Sequence, residues 1–107
     1  MPYIVLKSWW PTDKNHEVAA KVIELVPKYP PDTSLSESVV PNCIRATDKG
    51  LMNISIQEVK KGKLEEALTA SQLYAVEYHD IVGFEYSIEV WLTQIEAWAA
   101  IGKKPPE

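Results

Sequence analysis

One cysteine in 107 residues is the first constraint. With Cys43 alone, an internal disulfide and a cysteine-based zinc site are both excluded. Histidine is nearly as scarce: His16 and His79 have no convergent carboxylate spacing, so no metal signature is present and no cofactor is named. Positive charge is short as well. Eleven Lys and Arg against fifteen Asp and Glu leave a net charge of −4, which argues against a nucleic-acid or anionic-membrane surface, since both want clustered cations. The one basic cluster, Lys60, Lys61 and Lys63, falls at a helix start and reads as a solvated turn. Long apolar runs are missing too. Ile4-Val5-Leu6 is far too short for a signal peptide or a membrane span, so the expected location is cytoplasmic.

What is there suits one domain over 1–107, with 46% apolar and 24% charged residues. Residues 2–10, PYIVLKSWW, form a strand rich in β-branched and aromatic side chains, stopped by Pro11. From Lys14 to Val26, Val18, Val22, Leu25 and Val26 recur at helical spacing, and Pro27, Pro30 and Pro31 end that helix. A second strand spans Ser38–Thr47. Pro41 inside it cannot donate to a ladder, so this strand belongs at an edge or carries a bulge. Asp48-Lys49-Gly50 is a hairpin signal, followed by a third strand, LMNISIQEV, at 51–59. Lys63–Val82 reads as the longest helix, with Gly83 as its C′ residue. Phe84–Leu92 alternates as a fourth strand. Thr93 and Glu96 then form a capping box for a last helix over Gln94–Ile101.

The order β-α-β-β-α-β, with right-handed crossovers, has one common compact solution: an α+β ferredoxin-like sandwich with strand order 4-1-3-2 and a short C-terminal helix. Pro41 then falls on an edge strand. With Asp48–Gly50 as a three-residue loop, Thr47 sits opposite Leu51, and parity assigns the faces. Ile4, Leu6, Val40, Ile44, Met52, Ile54, Ile56, Tyr86, Ile88 and Val90 fit the face under the helices. The opposite face collects Tyr3, Val5, Lys7, Trp9, Cys43, Arg45, Thr47, Asn53, Ser55, Gln57, Glu85, Glu89 and Trp91. That list suits neither water nor a dry core. Exposed aromatics forgo several kcal/mol at roughly 25 cal/mol per Å², and lone buried charges cost about as much. A second sheet laid across a partly polar cavity suits both halves of it.

A βαββαβ chain of this length with such a face resembles the dimeric α+β barrel superfamily. Its closing stretch, EYHDIVGFEYSIEVWLTQIEAWAAIGKK, is similar to that of small uncharacterised proteins in the group. The resemblance implies a homodimer or larger homo-oligomer, two sheets packed face to face around a pocket. It also raises monooxygenase- or isomerase-like activity by fold analogy alone. The Asn/Trp/His set of haem-degrading members does not carry over: Trp9 and Asn53 lie on a suitable strand face, but His79 falls at a helix end.

Two functions follow. In the first, a small anionic or aromatic metabolite sits on the open sheet face. Lys7 and Arg45 hold its charge, Asn53, Ser55 and Gln57 supply hydrogen bonds, and Trp9 and Trp91 form apolar walls. Candidate catalytic groups are Glu89 as a base if its pKa is raised, His79 at the end of its helix, and Cys43 beside Arg45. In the second, the protein is a non-enzymatic assembly or regulatory module whose open face is only a subunit interface. Four tryptophans in so short a chain fit a ligand sandwich or an interface.

Overall fold

Alternation through Tyr3–Trp10 makes strand β1, and the chain breaks at Pro11, whose fixed φ leads into a single 3₁₀ turn over Thr12–Lys14. In this computed structural model, which describes residues 1–106, there follow α1 (Asn15–Leu25), β2 (Ser36–Thr47), β3 (Gly50–Val59), α2 (Leu64–Val76), β4 (Glu85–Trp91) and α3 (Gln94–Ala99). The protein is α+β. Its four strands pair antiparallel in the order β2-β3-β1-β4, the expected order, with β1 and β3 central. Pro41 lies on edge strand β2, where the register shifts between Ser38 and Val40 and again between Val40 and Cys43. The residue that cannot donate thus sits where the ladder is already interrupted.

The β2–β3 turn is one residue tighter than expected. Asp48 and Lys49 alone form it, and Thr47 pairs with Gly50 rather than Leu51. The Thr47 hydroxyl accepts from the Lys49 N–H at 3.2 Å and donates to the Gly50 carbonyl at 2.9 Å, stitching the turn closed. Gly50 has φ +132°, and a Cβ there would lie 2.3 Å from the Trp10 carbonyl oxygen. Both the dihedral and the close approach require glycine.

A one-residue change of register exchanges the two faces of a strand. Directly paired residues share a face, and Ile4 pairs with Gln57, Leu6 with Ser55 and Ser8 with Asn53. Asn53, Ser55 and Gln57 therefore lie under the helices. Met52, Ile54 and Ile56 lie on the open face, opposite Trp9, Lys7 and Val5. Both assignments reverse the parity expected from a three-residue loop. Val40 also moves to the open face, because the bulge sets it opposite Ile56.

The helices cover the even-numbered side of β1. At one end Ile4 and Val59, both fully buried, pack on Ala67 of α2, with Leu35, Leu64, Leu68 and Ile88 around them. At the other, Trp10 joins Val18 and Leu25 of α1 with Tyr78 and Ile81. The second helix ends at Val76, short of the expected Val82. Beyond it Tyr78, His79 and Ile81 donate to the carbonyls three residues back, and these tight turns carry Tyr78 and Ile81 into the core. Gly83, at φ +86°, closes that irregular stretch instead of capping the helix. Thr93 and Glu96 form the expected capping box of α3. Among the described residues no helix is long and apolar enough to cross a membrane.

Candidate functional site

Alternating small side chains make room between the helices and the sheet. Ala67, Ser71 and Ala75 on α2 face inward, and with Ala19 of α1 and Ala70 they line a cleft of about 730 Å³ floored by Asn53, Ser55 and Gln57. That volume lies within the usual range for small-molecule sites. The polar flank of LMNISIQEV, which looked like an open-face feature, is the floor of this cleft.

The floor amides differ in how they are satisfied. Gln57 donates from Nε2 to the Ser71 hydroxyl at 3.0 Å, and its Oε1 accepts from the Ser36 hydroxyl, tying β2, β3 and α2 together. Asn53 is 8% exposed. Its Nδ2 makes one long contact, 3.5 Å to the Ser8 hydroxyl, and its Oδ1 has no partner. A buried amide oxygen left alone costs about 1–3 kcal/mol and calls for an explanation.

One end of the cleft is aromatic. Trp10 stacks on Phe84 at 5.9 Å and 9°, and Phe84 on Tyr78 at 4.8 Å and 15°. Tyr78 meets Tyr74 edge-on, their hydroxyls 2.6 Å apart, and Tyr74 meets Tyr29. Burial first, and the bond to Tyr74 second, push the Tyr78 phenol well above its ordinary pKa, so it stays protonated. The Tyr29 hydroxyl donates to Glu77 at 2.7 Å, and the Lys28 ammonium pairs with the same carboxylate. Among the described residues the one charged side chain lining the cleft is Asp32. Its carboxylate accepts from the Ser34 hydroxyl and N–H, which hold it below the usual carboxylate range.

The remaining candidates lie elsewhere. Lys7, Trp9, Arg45 and Trp91 share the open face, across the sheet from the three floor residues, so the seven expected ligand-binding residues divide into two groups. Glu89 accepts from the Trp91 indole N–H at 2.8 Å and the Ser87 hydroxyl at 3.1 Å, and pairs with Lys7 at 3.3 Å. These donors, the indole first, hold its carboxyl below the ordinary value, opposite to what a general base at neutrality needs. Lys7 Nζ also sits 5.6 Å from the centre of the Trp91 ring. Cys43 is exposed on the same face, opposite Ile54. His79 bonds from Nε2 to the Tyr86 hydroxyl at 2.8 Å and stacks on that ring, while Asp80 takes Lys21 instead. Tyr86 lines the cleft, so His79 reaches its rim through one side chain. Among the described residues no three His, Cys, Asp or Glu gather where they could hold a metal ion.

Trp10, Tyr29, Tyr74, Tyr78, Phe84, Ser36 and Ser71 were not read as site residues from sequence. Ser71 and Tyr78 fall on the apolar stripe that helical spacing predicts over Lys63–Val82, a pattern that reads equally as core. Compared with protein-family models, with curated proteins and with solved structures, the chain finds no match.

Proposed function

We propose that this protein binds a small molecule in the cleft between its helices and its sheet, and that it works as a homodimer whose open sheet faces pack together. One observation carries the binding reading: a 730 Å³ cleft between helices and sheet whose lining combines amides, hydroxyls and aromatic rings. Amides, serines and Tyr78, which burial keeps protonated, bind and orient a ligand without exchanging protons near neutrality. Binding therefore fits this lining better than proton-transfer catalysis does.

The pairing reading rests on what the open face is made of. Val5, Trp9, Val40, Met52, Ile54 and Ile56 share it, and Trp9 is 38% exposed. At ~1.5–3 kcal/mol for each large side chain fully buried, covering even half of what remains exposed is worth several kcal/mol. The strand order is that of the ferredoxin-like sandwich, and sheet-to-sheet pairing is what resemblance to the dimeric α+β barrels implies. Trp91 on the same face is 52% exposed as well. The second reading, an assembly module with no ligand, is favoured by the Lys7, Glu89 and Trp91 network, which already satisfies much of the open face internally.

Native mass spectrometry of the purified protein tests both parts at once. The expected result is a particle of twice 12.1 kDa, carrying additional mass that Asn53→Leu removes while leaving the dimer intact. A dimer whose mass is unchanged by Asn53→Leu, with no bound molecule in either form, supports the assembly module instead.

A further inference from the structure

We propose, building on the cleft as the ligand site, that its ligand is an uncharged molecule with a saturated, bulky body and a single hydroxyl or carbonyl group, the chemistry of a terpenoid alcohol or ketone. Charge, the reachable walls and the open polar group of the floor each narrow the class.

Charge excludes ions of either sign. Asp32 is the one charged side chain lining the cleft among the described residues, it is exposed, and its carboxylate is already held by Ser34. Lys21 of α1 pairs with Glu24 and Asp80, and Lys7 and Arg45 are on the other side of the sheet. An ion entering here loses hydration and gains no counter-charge, whereas a neutral apolar molecule gives up little.

The reachable walls are aliphatic. Val22 and Ile23 on α1 and Ile44 on β2 line the cleft and stay exposed, Ile23 by 73% and Ile44 by 58%, with Ala19, Pro30 and Pro41 beside them. The rings of the cleft are largely packed on one another. Trp10 and Tyr78 are buried in the core, Phe84 stacks on both, and Tyr86 stacks on His79. A flat guest therefore finds few open ring faces. A saturated body fits its full thickness against branched aliphatic side chains and removes their surface from water.

The floor supplies one open polar atom. Gln57 is engaged at both ends by Ser36 and Ser71. Ser55 lines the cleft half-buried, makes no side-chain hydrogen bond among the described residues, and keeps its hydroxyl open to the cleft. A hydroxyl both donates and accepts, so it matches a hydroxyl or a carbonyl alike. A ligand with further polar groups would set them against the aliphatic walls.

Three bicyclic probes test the class: decahydro-2-naphthol, 2-naphthol and decahydronaphthalene-2-carboxylate, each titrated into the intact protein and followed by ¹H–¹⁵N correlation spectra. The first is neutral and saturated, the second neutral and flat, the third saturated and anionic. Decahydro-2-naphthol is expected to move the backbone signals of Val22, Ile44 and Ser55 saturably, and to bind more tightly than 2-naphthol. It should exceed the carboxylate at least about tenfold, the equivalent of 1.4 kcal/mol. Ser55→Ala removes one hydrogen bond between neutral partners and weakens decahydro-2-naphthol about fivefold. Ile44→Lys, at an exposed position, places a cation in the wall and tightens the carboxylate at least about tenfold.

Equal or tighter binding of the carboxylate by the native protein overturns the neutral class, and equal or tighter binding of 2-naphthol overturns the saturated body. Unchanged affinity in Ser55→Ala overturns the polar contact, and a carboxylate that gains nothing from Ile44→Lys overturns the placement against β2. Each of these results leaves the cleft standing as a site. Shifts confined to Trp9, Arg45 and their neighbours, or no saturable shift with any probe, overturn this proposal together with the cleft reading on which it rests.

Discussion

Asn53 and Gln57 are chemically similar, lie on one strand face, and are held in opposite ways. Gln57 closes hydrogen bonds to Ser36 and Ser71 across three elements, whereas Asn53 has a free oxygen in a position that is 8% exposed. Their replacement by leucine should therefore move stability in different directions. Gln57→Leu strands two hydroxyls and should cost about 1–2 kcal/mol, the lower part of the penalty for orphaned polar groups, since the site is only partly buried. Asn53→Leu removes an orphan together with one long bond to Ser8, and should be neutral or stabilising by up to about 1 kcal/mol. Urea denaturation of both variants checks the pair, and a loss of more than about 1 kcal/mol in Asn53→Leu would show that the amide is satisfied in the folded protein.

At the scale of elements, the segments that follow α1 and α2 are fastened by one carboxylate. Glu77 accepts from the Lys28 ammonium and the Tyr29 hydroxyl, and Lys28 first, then Tyr29, hold its carboxyl below the ordinary value. The unfolded chain returns the group to its usual pKa, roughly 4.3. As pH falls the unfolded state takes up this proton first, so the stabilisation is complete above the ordinary value and disappears as pH drops through the folded one. The stability gap between the native protein and Glu77→Gln should accordingly be constant from pH 7 to about 5 and shrink between there and pH 3, measured as urea midpoints; a gap that widens on acidification contradicts the clamp. Tyr29 also lines the cleft. Tight turns also explain which parts of these elements were legible in the sequence. Strand number, strand order, the edge position of Pro41 and the Thr93 capping box all follow from local rules of period, proline chemistry and caps. The face of β3 does not. LMNISIQEV alternates in the same way whichever side it presents, and one residue of turn length decides between them. The Thr47 hydroxyl and the approach of Gly50 to the Trp10 carbonyl set that length, and the second of these is a contact with β1, distant in sequence. The end of α2 was hidden for a related reason, since Tyr78 and Ile81 continue a helical spacing while the chain beneath them has turned toward Trp10.

For the whole molecule, the reversal of β3 makes the case for a covering partner stronger, because the oily flank of the strand is the one the helices leave bare. Charge sets how a second copy would lie. Arg45, Met52, Trp9 and Glu85 form one row across the open face, from edge strand β2 to edge strand β4. Its two apolar members are flanked by opposite charges, neither of which has an ion-pair partner among the described residues. A two-fold axis running along the strands lays β2 over the partner's β4 and keeps this row in register. In such a dimer Arg45 would meet Glu85 of the partner subunit twice, across sheets packed roughly 10 Å apart. An axis across the strands would stack β2 on β2 and leave both charges unmatched. Arg45→Glu and Glu85→Arg should each weaken the dimer roughly ten- to a hundredfold, from about 1 kcal/mol at each of two symmetric pairs plus the repulsion introduced. The double exchange restores the pairing with its polarity inverted, and should recover most of the loss. Sedimentation equilibrium of the four proteins reads the effect directly. If both single variants dimerise like the native chain, or if the double exchange is weaker than either, the sheets do not meet in this orientation.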